Sequence, residues 1–355
     1  LAAVAATRSV VAVSGTHGKT TTSAMLALAL IEANMDPGFI VGASISGLGT
    51  GAGWGTGEWL VVEADESDGT FLELAPAAAI VTSVEPDHLG HYGGFADLVA
   101  AFRRFISDVG GSCLVCADDE VARELASEAR SLTYGTGDDA TFKLADLTLR
   151  PDGSSFTLLG HGAPLALRVS MPGVHNALNA AGAASMALLL GAPAASVARS
   201  LASFPGVARR FEQRGEVDGV TFIDDYAHLP GEVRAALGTA RIGPWRRIVC
   251  VFQPHRYSRT AELGSEFADA FAVADLLVVT AIYAAGEEAR AGISGKAIVE
   301  VVLDADPSRQ VAWFPDRDDL RKFLLARLRP GDLCLTLGAG DLTSLPDELQ
   351  TVGAR

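Results

Sequence analysis

The stretch from Gly15 to Thr22 combines two glycines with a lysine and several threonines, in the order Gly-Thr-His-Gly-Lys-Thr-Thr-Thr. Glycines in a strand-to-helix turn let backbone N–H groups close around a phosphate, and the helix N-terminus adds positive potential. Lys19 can reach the β- and γ-phosphates of a nucleotide, and the Thr20 hydroxyl can ligate Mg²⁺. The full motif would need glycine at position 13, where Val13 stands. The sequence therefore predicts a shortened P-loop rather than an ordinary glycine-rich turn.

Carboxylates follow the next two apolar runs. The first group spans Glu63 to Asp68 and reads Glu-Ala-Asp-Glu-Ser-Asp. Four carboxylates within six residues repel one another unless a cation lies among them, and Mg²⁺ prefers carboxylate oxygen. A solvated acidic loop is the alternative. The second group, Glu85-Pro-Asp-His88, has the same position relative to its run, which favours a functional role for His88 over a structural one.

Asn176 and Asn179 stand three residues apart at the start of a predicted helix, so they share one helix face. Carboxamides offer both a donor and an acceptor, which adenine recognition requires. Considered alone, however, the pair favours a role in helix capping.

Two polar clusters follow predicted strands in the second half of the chain. One is Asp-Asp-Tyr-Ala-His at 224–228, and the other is Gln-Pro-His-Arg-Tyr-Ser-Arg at 253–259. His255, Arg256 and Arg259 form a cationic cluster suited to a carboxylate or a phosphate. A solvated basic turn is the alternative, but an anionic substrate for an acidic protein favours function.

The elements that must position these groups alternate between short apolar runs and helical stretches. This βαβ rhythm predicts an α/β fold with mostly parallel sheets covered on both faces. Alternating segments from Phe142 to Ser170, around the turn Pro-Asp-Gly at 151–153, predict a small antiparallel section. Asp118 is predicted to be the N-cap of a helix. We expect a P-loop ATPase domain over residues 1–208 and a Rossmann-like α/β domain over residues 209–355.

Composition narrows the classes of function. The chain has 355 residues, of which 49% are hydrophobic, and its formal net charge is −15. Such a balance is globular rather than disordered, and the charge disfavours nucleic acid and anionic membrane surfaces as partners. Four cysteines form no disulfide framework, which favours a reducing cytoplasm. The Cys113-x-x-Cys116 pair lies within an apolar run, so packing is favoured over a redox or zinc role.

These motifs together resemble the Mur ligases of peptidoglycan synthesis. The set also includes Arg209–Phe211, and within that family it is similar to the branch that adds L-alanine to UDP-N-acetylmuramate. The segments Tyr283–Glu288, Gly292–Gly295 and Gly338–Asp341 strengthen that resemblance. The resemblance implies an ADP-forming acid–amino-acid ligase that uses ATP and Mg²⁺. ATP would phosphorylate the muramyl carboxylate, and the amine of L-alanine would attack the acyl phosphate. A monomer or homodimer is expected.

The resemblance also implies roles for individual residues. Those expected to bind the nucleotide are Gly15, Thr16, His17, Gly18, Lys19, Thr20, Thr21, Asn176, Asn179, Arg210 and Asp225. Those expected to hold Mg²⁺ are Thr20, Glu63 and His88. Those expected to surround the acceptor carboxylate and the alanine are Tyr226, His228, His255, Arg256 and Arg259. Catalytic roles are expected for Lys19, His88, His228 and Arg256.

Three features depart from the family pattern. The usual Gly-His-His-Pro is Ala227-His-Leu-Pro230 here, so one histidine is lost. No lysine lies between positions 19 and 143, although several relatives carry a carbamylated lysine near the metal; this fits the alanine-adding branch. Only fourteen residues precede Gly15, so we expect the family's N-terminal UDP-binding domain to be absent from this chain.

Two alternatives stay open. A murein tripeptide recycling ligase has a similar P-loop, but such enzymes tend to have tyrosine where Ser67 stands. A non-catalytic ATP-binding module has little need for Lys19, Glu63 and His88 together.

Overall fold

The computed structural model describes residues 7–87 and 89–353. The chain divides into two compact units, with the division between Ala208 and Arg209. In the first unit, the strands are β1 (Ser9–Ser14), β2 (Gly38–Ile45), β3 (Thr50–Gly53), β4 (Trp59–Glu63), β5 (Ala78–Val81), β6 (Cys113–Cys116), β7 (Leu132–Gly135), β8 (Phe142–Arg150), β9 (Gly153–Leu159) and β10 (Leu165–Val169). Its α-helices are α1 (Lys19–Glu32), α2 (Leu89–Tyr92), α3 (Phe95–Ser107), α4 (Glu120–Ala129), α5 (Val174–Leu189) and α6 (Ala194–Ala202).

The ten strands of the first unit form one sheet in the order β10-β9-β8-β7-β6-β5-β1-β4-β2-β3. Strands β1, β2 and β4 to β8 run parallel to their neighbours in this set, whereas β3, β9 and β10 pair antiparallel. Because β1 lies between β4 and β5, the loop that follows it leaves from the middle of the sheet. Ligands bind at this carboxyl edge in open α/β sheets.

Alternation along β1 shows how both faces of this sheet are covered. Val11 and Val13 belong to one apolar cluster, which includes residues of α1 and α5. Val10 and Ala12 belong to another, which includes residues of α3 and α4. All four side chains are buried, as expected for a parallel strand enclosed by helices.

The second unit forms a six-stranded sheet in the order β11-β12-β16-β13-β14-β15. Only β11 pairs antiparallel. Its strands are β11 (Glu212–Val217), β12 (Val220–Asp225), β13 (Arg247–Phe252), β14 (Leu276–Val279), β15 (Val311–Trp313) and β16 (Asp332–Leu337). Its α-helices are α7 (Pro230–Ile242), α8 (Tyr257–Leu263), α9 (Lys296–Ala305), α10 (Arg317–Arg327) and α11 (Leu345–Gly353).

The α/β fold class and the antiparallel section are confirmed, because β8 and β9 form the hairpin around Pro151 and Asp152. The N-cap prediction is wrong by one residue. Asp119 caps α4 by accepting from the Ala122 amide at 2.8 Å. Asp118 instead accepts hydrogen bonds from Thr136, because its side chain faces the loop after β7.

Two observations bear on the remaining compositional expectations. Cys113 and Cys116 are buried and unbridged, and burial raises the pKa of each thiol to about 11. Over residues 7–87 and 89–353, no helix has the length and apolar character needed to cross a membrane.

Candidate active site

The loop between β1 and α1 presents backbone rather than side chains at two points. Gly15 has a φ of 131° and Gly18 a φ of 79°. A Cβ at Gly15 would lie 2.2 Å from Thr82 Oγ1, and a Cβ at Gly18 would lie 2.4 Å from Asn179 Oδ1. Larger residues are therefore excluded by both conformation and space. The loop forms a cradle that fits the phosphates of a nucleotide.

This cradle is fastened to the segment after β5. The Thr16 amide donates to the Ser83 carbonyl at 3.0 Å, and the Glu85 amide donates to Thr16 Oγ1 at 2.8 Å. The His17 amide donates to Ser83 Oγ at 2.9 Å, and His17 Nε2 lies 3.2 Å from Glu85 Oε2. Residues nearly seventy positions apart thus hold the loop in shape.

Lys19 lies at the start of α1 with its ammonium group turned into the cradle. Its Nζ donates to the Gly15 carbonyl at 2.7 Å and to both carboxylate oxygens of Glu66 at 3.0 and 2.9 Å. The Glu66 side chain is only 1% exposed. Burial raises the pKa of Glu66, and the Lys19 charge opposes that rise. The pair fixes the ammonium group within the cradle.

Thr20 and Glu63 bring two oxygen ligands together. Thr20 Oγ1 donates to Glu63 Oε1 at 2.8 Å, and the Gly42 amide donates to Glu63 Oε2 at 2.6 Å. No group of three His, Cys, Asp or Glu side chains arranged to hold a metal occurs in the part of the chain that the structure describes. Mg²⁺ is commonly held by one or two carboxylates together with substrate phosphates and water. The donor set fits that arrangement.

The four carboxylates from Glu63 to Asp68 do not surround one cation, so that interpretation is wrong. Asp65 is exposed and accepts from the Ser67 amide, and Asp68 accepts from the amide and hydroxyl of Thr70. The Thr70 hydroxyl bond lowers the pKa of Asp68. Because the segment turns after β4, its acidic groups reach different partners.

The helix that carries the two asparagines begins beside the cradle. The N-cap of α5 is Gly173, and no side chain caps it, so the capping interpretation is wrong. Asn176 is buried and donates from Nδ2 to the Pro172 carbonyl at 2.7 Å. Asn179 lies against Gly18. These contacts bring α5 to the phosphate cradle.

In the second unit, Arg209 is fixed by buried oxygens. Its Nη2 donates to the Gly338 carbonyl at 2.6 Å, and its Nε lies 3.5 Å from Asp224 Oδ2. Asp224 is 1% exposed and accepts at 2.6 Å from each of the hydroxyls of Thr336 and Thr343. The carboxylate therefore orders the start of this unit against the end of β16.

Asp225, the last residue of β12, holds the turn that follows Arg210. Its two oxygens accept from the amides of Phe211 at 2.7 Å and Ala227 at 2.8 Å. Burial raises the pKa of Asp225 to about 6, although Arg210 and both amide bonds oppose that rise. The Arg210 guanidinium lies 5.0 Å from the centre of the Tyr226 ring.

Two histidines meet beyond β12 and β13. His228 Nδ1 lies 3.0 Å from the Tyr226 carbonyl oxygen and 3.2 Å from Glu232 Oε2. The His228 and His255 rings are 5.3 Å apart, nearly edge to face. His255 Nδ1 lies 2.7 Å from Arg259 Nη1, and the Arg259 side chain is buried. Predicted binding residues from two loops are thus adjacent.

Arg256 occupies a strained position beside these rings. Its φ is 67° and its ψ is 139°, a conformation that costs a non-glycine residue about 1–3 kcal/mol. The Arg256 amide donates to the Tyr283 carbonyl at 2.8 Å, and the Tyr283 ring stacks on His255 at 5.8 Å. The Arg256 side chain is exposed, so its charge is available to an anion.

Two family models match the chain. The "Mur ligase middle domain" matches residues 13–187, and the "Mur ligase, glutamate ligase domain" matches residues 209–340. A curated relative from Acidothermus cellulolyticus, UDP-N-acetylmuramate–L-alanine ligase, is 45% identical over 98% of this chain and 74% of its own length. The chain belongs to the Mur ligase family. A relative of the same name from Myxococcus xanthus is 44% identical over 96% of this Mur ligase and 73% of its own length.

Solved structures agree with this assignment. The UDP-N-acetylmuramate–alanine ligase of Thermotoga maritima matches with a TM-score of 0.82 and 28% identity, over 98% of this chain and 76% of that one. The MurF ligase of the same organism, solved in complex with ADP, matches with a TM-score of 0.76 and 19% identity, over 98% and 80% of the two chains. The resemblance to Mur ligases is therefore confirmed.

The expected site residues of this Mur ligase fall into two groups. In the first unit, the cradle, Glu63, Asn176 and Asn179 lie together, whereas His88 lies outside the described residues. In the second unit, the expected substrate residues from the two loops also cluster. Their individual roles stay predictions.

The sequence did not identify the carboxylates that pair with Lys19, Arg209 and His228. These partners are Glu66, Asp224 and Glu232, respectively. Glu66 was only one member of an acidic run, Asp224 was one of a pair of aspartates, and Glu232 was not singled out. The signal for Glu232 is the spacing of a capping glutamate three residues after Leu229.

Proposed function

We propose that this Mur ligase joins L-alanine to UDP-N-acetylmuramate and converts ATP to ADP and phosphate. The observation that carries the proposal is the set of curated relatives with that activity in their name, which are 41–45% identical over 94–98% of this chain. We place the reaction in the cytoplasm, where ATP is available.

In the first unit, the proposed work is positioning and charge neutralisation, as in other phosphoryl transfers. The Lys19 ammonium would contact the transferred phosphoryl group, and the backbone amides of the cradle would bind the adjacent phosphates of the nucleotide. Thr20 and Glu63 would hold Mg²⁺, which neutralises charge on phosphate oxygens when bound. Asn176 and Asn179 would face the adenine, a role supported by the contact of Asn179 with the cradle.

In the second unit, the proposed work is to hold the anionic acceptor and the amino acid. His255, Arg256 and Arg259 supply donors and positive charge for carboxylates, with Tyr226 and His228 beside them. Arg210 would contact phosphates and Asp225 the ribose. The muramyl carboxylate oxygen would attack the γ-phosphorus, and ADP would leave. The alanine amine would then form the C–N bond as the C–O bond to phosphate breaks.

The test is ADP release from the purified 355-residue chain, measured with ATP and Mg²⁺ and with each organic substrate omitted in turn. Release that requires both UDP-N-acetylmuramate and L-alanine, with a product one alanine heavier, is the expected result. Lys19→Ala should abolish this release. Lys143→Ala is the matched control, because Lys143 lies on β8 and pairs with Asp138 away from the cradle.

Replacement of L-alanine by the tripeptide of murein tests the recycling alternative. Faster release with free tripeptide and UDP-N-acetylmuramate than with L-alanine would contradict the proposal. ATP binding with no substrate-dependent release in any arm would also contradict it.

A further inference from the structure

We propose that Glu232 is a positioning residue that makes His228 the base for the incoming amine, whereas His255 serves only as a hydrogen-bond donor. The inference rests on the proposed function, because that reaction needs an amine acceptor. It goes further by assigning different protonation forms, and so different tasks, to two adjacent imidazoles.

The contacts of His228 determine that its Nδ1 carries a hydrogen. This nitrogen lies 3.0 Å from the Tyr226 carbonyl oxygen and 3.2 Å from Glu232 Oε2. Glu232 Oε2 also accepts from the amides of His228 at 2.9 Å and Leu229 at 3.2 Å, so it is an acceptor. A carbonyl oxygen and an acceptor carboxylate both require a donor at Nδ1. In the neutral ring, the basic nitrogen of His228 is therefore Nε2.

His255 has the opposite tautomer, with its hydrogen on Nε2. Its Nδ1 lies 2.7 Å from Nη1 of Arg259. A guanidinium can only donate, so His255 Nδ1 must carry a lone pair, and Nε2 must carry the hydrogen. Arg259 is buried at 9% exposure, and its fixed charge opposes a second proton on His255. Of two rings 5.3 Å apart, only His228 is set to receive a proton.

The proposed chemistry follows from these two tautomers. The ammonium group of L-alanine must lose a proton before its nitrogen can attack a carbonyl carbon. His228 Nε2 takes that proton, the N–H bond electrons stay on nitrogen as the attacking pair, and the resulting imidazolium is balanced by Glu232. The arrangement is a base oriented by a carboxylate through its other nitrogen, as in hydrolase triads.

Other charged or titratable groups face this site and remain in place when Glu232 is changed. The Tyr226 ring lies 5.4 Å from the His228 ring, and the His255 ring lies 5.3 Å from it with Arg259 beyond. Arg210 stands over Tyr226. Glu232 also raises the pKa of Asp225, so the effect on His228 is read at the ring nitrogens of His228 itself.

Glu232 also caps helix α7 through its backbone contacts, so the test must separate the two roles. Glu232→Gln keeps an oxygen that can accept from those amides but removes the negative charge. Glu262→Gln is the matched control, because Glu262 is an exposed glutamate on α8. Both variants should melt within a few degrees of the parent chain.

The first readout needs no activity. Nitrogen-15 NMR of the histidine-labelled chain reports which ring nitrogen carries hydrogen, with assignments from His228→Gln and His255→Gln. We expect the Nδ1–H form for His228 and the Nε2–H form for His255. In Glu232→Gln, the protonation midpoint of His228 should fall by about one pH unit, since the imidazolium loses its counter-charge. Glu262→Gln should leave it unchanged.

The second readout is the pH profile of kcat/KM for L-alanine at saturating ATP and UDP-N-acetylmuramate. In Glu232→Gln, the acidic limb should move to lower pH by about one unit, and the plateau should fall about tenfold because the base is weaker. His255→Gln should raise KM for a substrate and leave the acidic limb in place.

The outcomes are distinguishable from those of the proposed function. If His228 has the Nε2–H form, or if Glu232→Gln shifts neither its midpoint nor the acidic limb, the inference is overturned even where ligation is robust. If the tautomers and the midpoint shift are as expected but no alanine-dependent ADP release occurs, the proposed function fails and the base assignment with it, while the Glu232–His228 coupling stands.

Discussion

The two units build their candidate binding loops from different backbone chemistry. In the first unit, the positive-φ positions of the cradle are Gly15 and Gly18, with φ values of 131° and 79°. In the second unit, comparable values occur at Arg209, Phe211 and Arg256, with φ of 60°, 49° and 67°. Glycine adopts such conformations freely, whereas other residues are strained in them.

The difference follows from which atoms must meet the ligand. Phosphate is bound by backbone amides at a helix start, so the first unit excludes side chains from the loop. Carboxylate recognition needs guanidinium and imidazole groups. The second unit therefore has residues with side chains at positive-φ positions, although glycine would adopt those conformations without strain. The strain is offset by contacts: Arg209 bonds to Gly338, and Asp225 accepts from the Phe211 amide.

The cations of the two units also differ in their surroundings. Lys19 is mostly buried and paired with Glu66, which is itself buried. Arg256 is exposed. Removal of a buried partner leaves an uncompensated charge, whereas removal of an exposed cation affects only what it binds. This contrast predicts opposite effects on stability.

The largest expected effect is that of Lys19→Ala. Ligation should fall by about a thousandfold or more, because the transferred phosphoryl loses its charge partner. The free energy of unfolding should also fall, by about 3 kcal/mol, because Glu66 is left buried and unpaired. Substrate-dependent ADP release and urea denaturation measure the two effects.

A double variant sharpens this result. Lys19→Met combined with Glu66→Gln removes both charges, so most of the lost stability should return while ligation stays absent. Lys143→Ala should change neither quantity appreciably. Full stability in Lys19→Ala alone would show that the Lys19–Glu66 pair contributes little to folding.

Arg256→Gly should separate stability from activity in the second unit. Glycine relieves the strain at φ 67°, so the free energy of unfolding should rise by about 1 kcal/mol. Ligation should fall by about a hundredfold, because a cation for the acceptor carboxylate is lost. Thermal melting and kcat/KM for UDP-N-acetylmuramate measure both changes. A less stable variant with full activity would remove the basis for treating this strain as functional.

Glu63→Gln should give a smaller effect in the first unit. A carboxamide is a poorer ligand for a hard cation, so the Mg²⁺ concentration for half-maximal activity should rise by about tenfold. Asp65→Asn is the matched control, because Asp65 is an exposed carboxylate two residues away. An unchanged Mg²⁺ titration in Glu63→Gln would transfer the metal role to another residue.

The smallest expected effect is a pH dependence at Asp225. Burial raises the pKa of Asp225 from its ordinary value near 4 to about 6, so between these values the folded state retains a proton that the unfolded state releases. The contribution of this group to stability should therefore be fully present below about pH 4 and be lost as the pH rises towards 6. Carbon-13 NMR of the carboxyl measures the midpoint, and Asp225→Asn should flatten this part of the stability profile. A carboxyl midpoint near 4 would contradict the assignment.

The sequence predicted the first unit's site better than the second's because the cradle is local. Gly15, Lys19 and Thr20 lie within six positions, and their spacing carries the chemistry. Glu66 could not be distinguished from its acidic neighbours, since only the turn after β4 determines which carboxylate meets Lys19. Asp224 and Thr336 lie more than a hundred positions apart, so their contact depends on β12 pairing with β16.

Two strands at the ends of their sheets, β11 and β3, have weak sequence patterns. β11 reads Glu-Gln-Arg-Gly-Glu-Val and pairs with only one neighbour. An edge strand needs little apolar alternation, so its pattern is weak. β3 contains two glycines among its four residues. In contrast, β5 and β6 lie inside the sheet, are buried along their length and have continuous apolar sequences.

The central place of β1 has a consequence for local unfolding. This strand pairs on both sides, with β4 and β5, whereas β3 and β10 lie at the two ends of the sheet. Amide hydrogens at β1 should therefore exchange with solvent only through near-global opening, and those of the end strands through small, frequent fluctuations. The cradle thus begins at the slowest-exchanging segment of its unit, and partial openings that release a sheet edge leave it assembled.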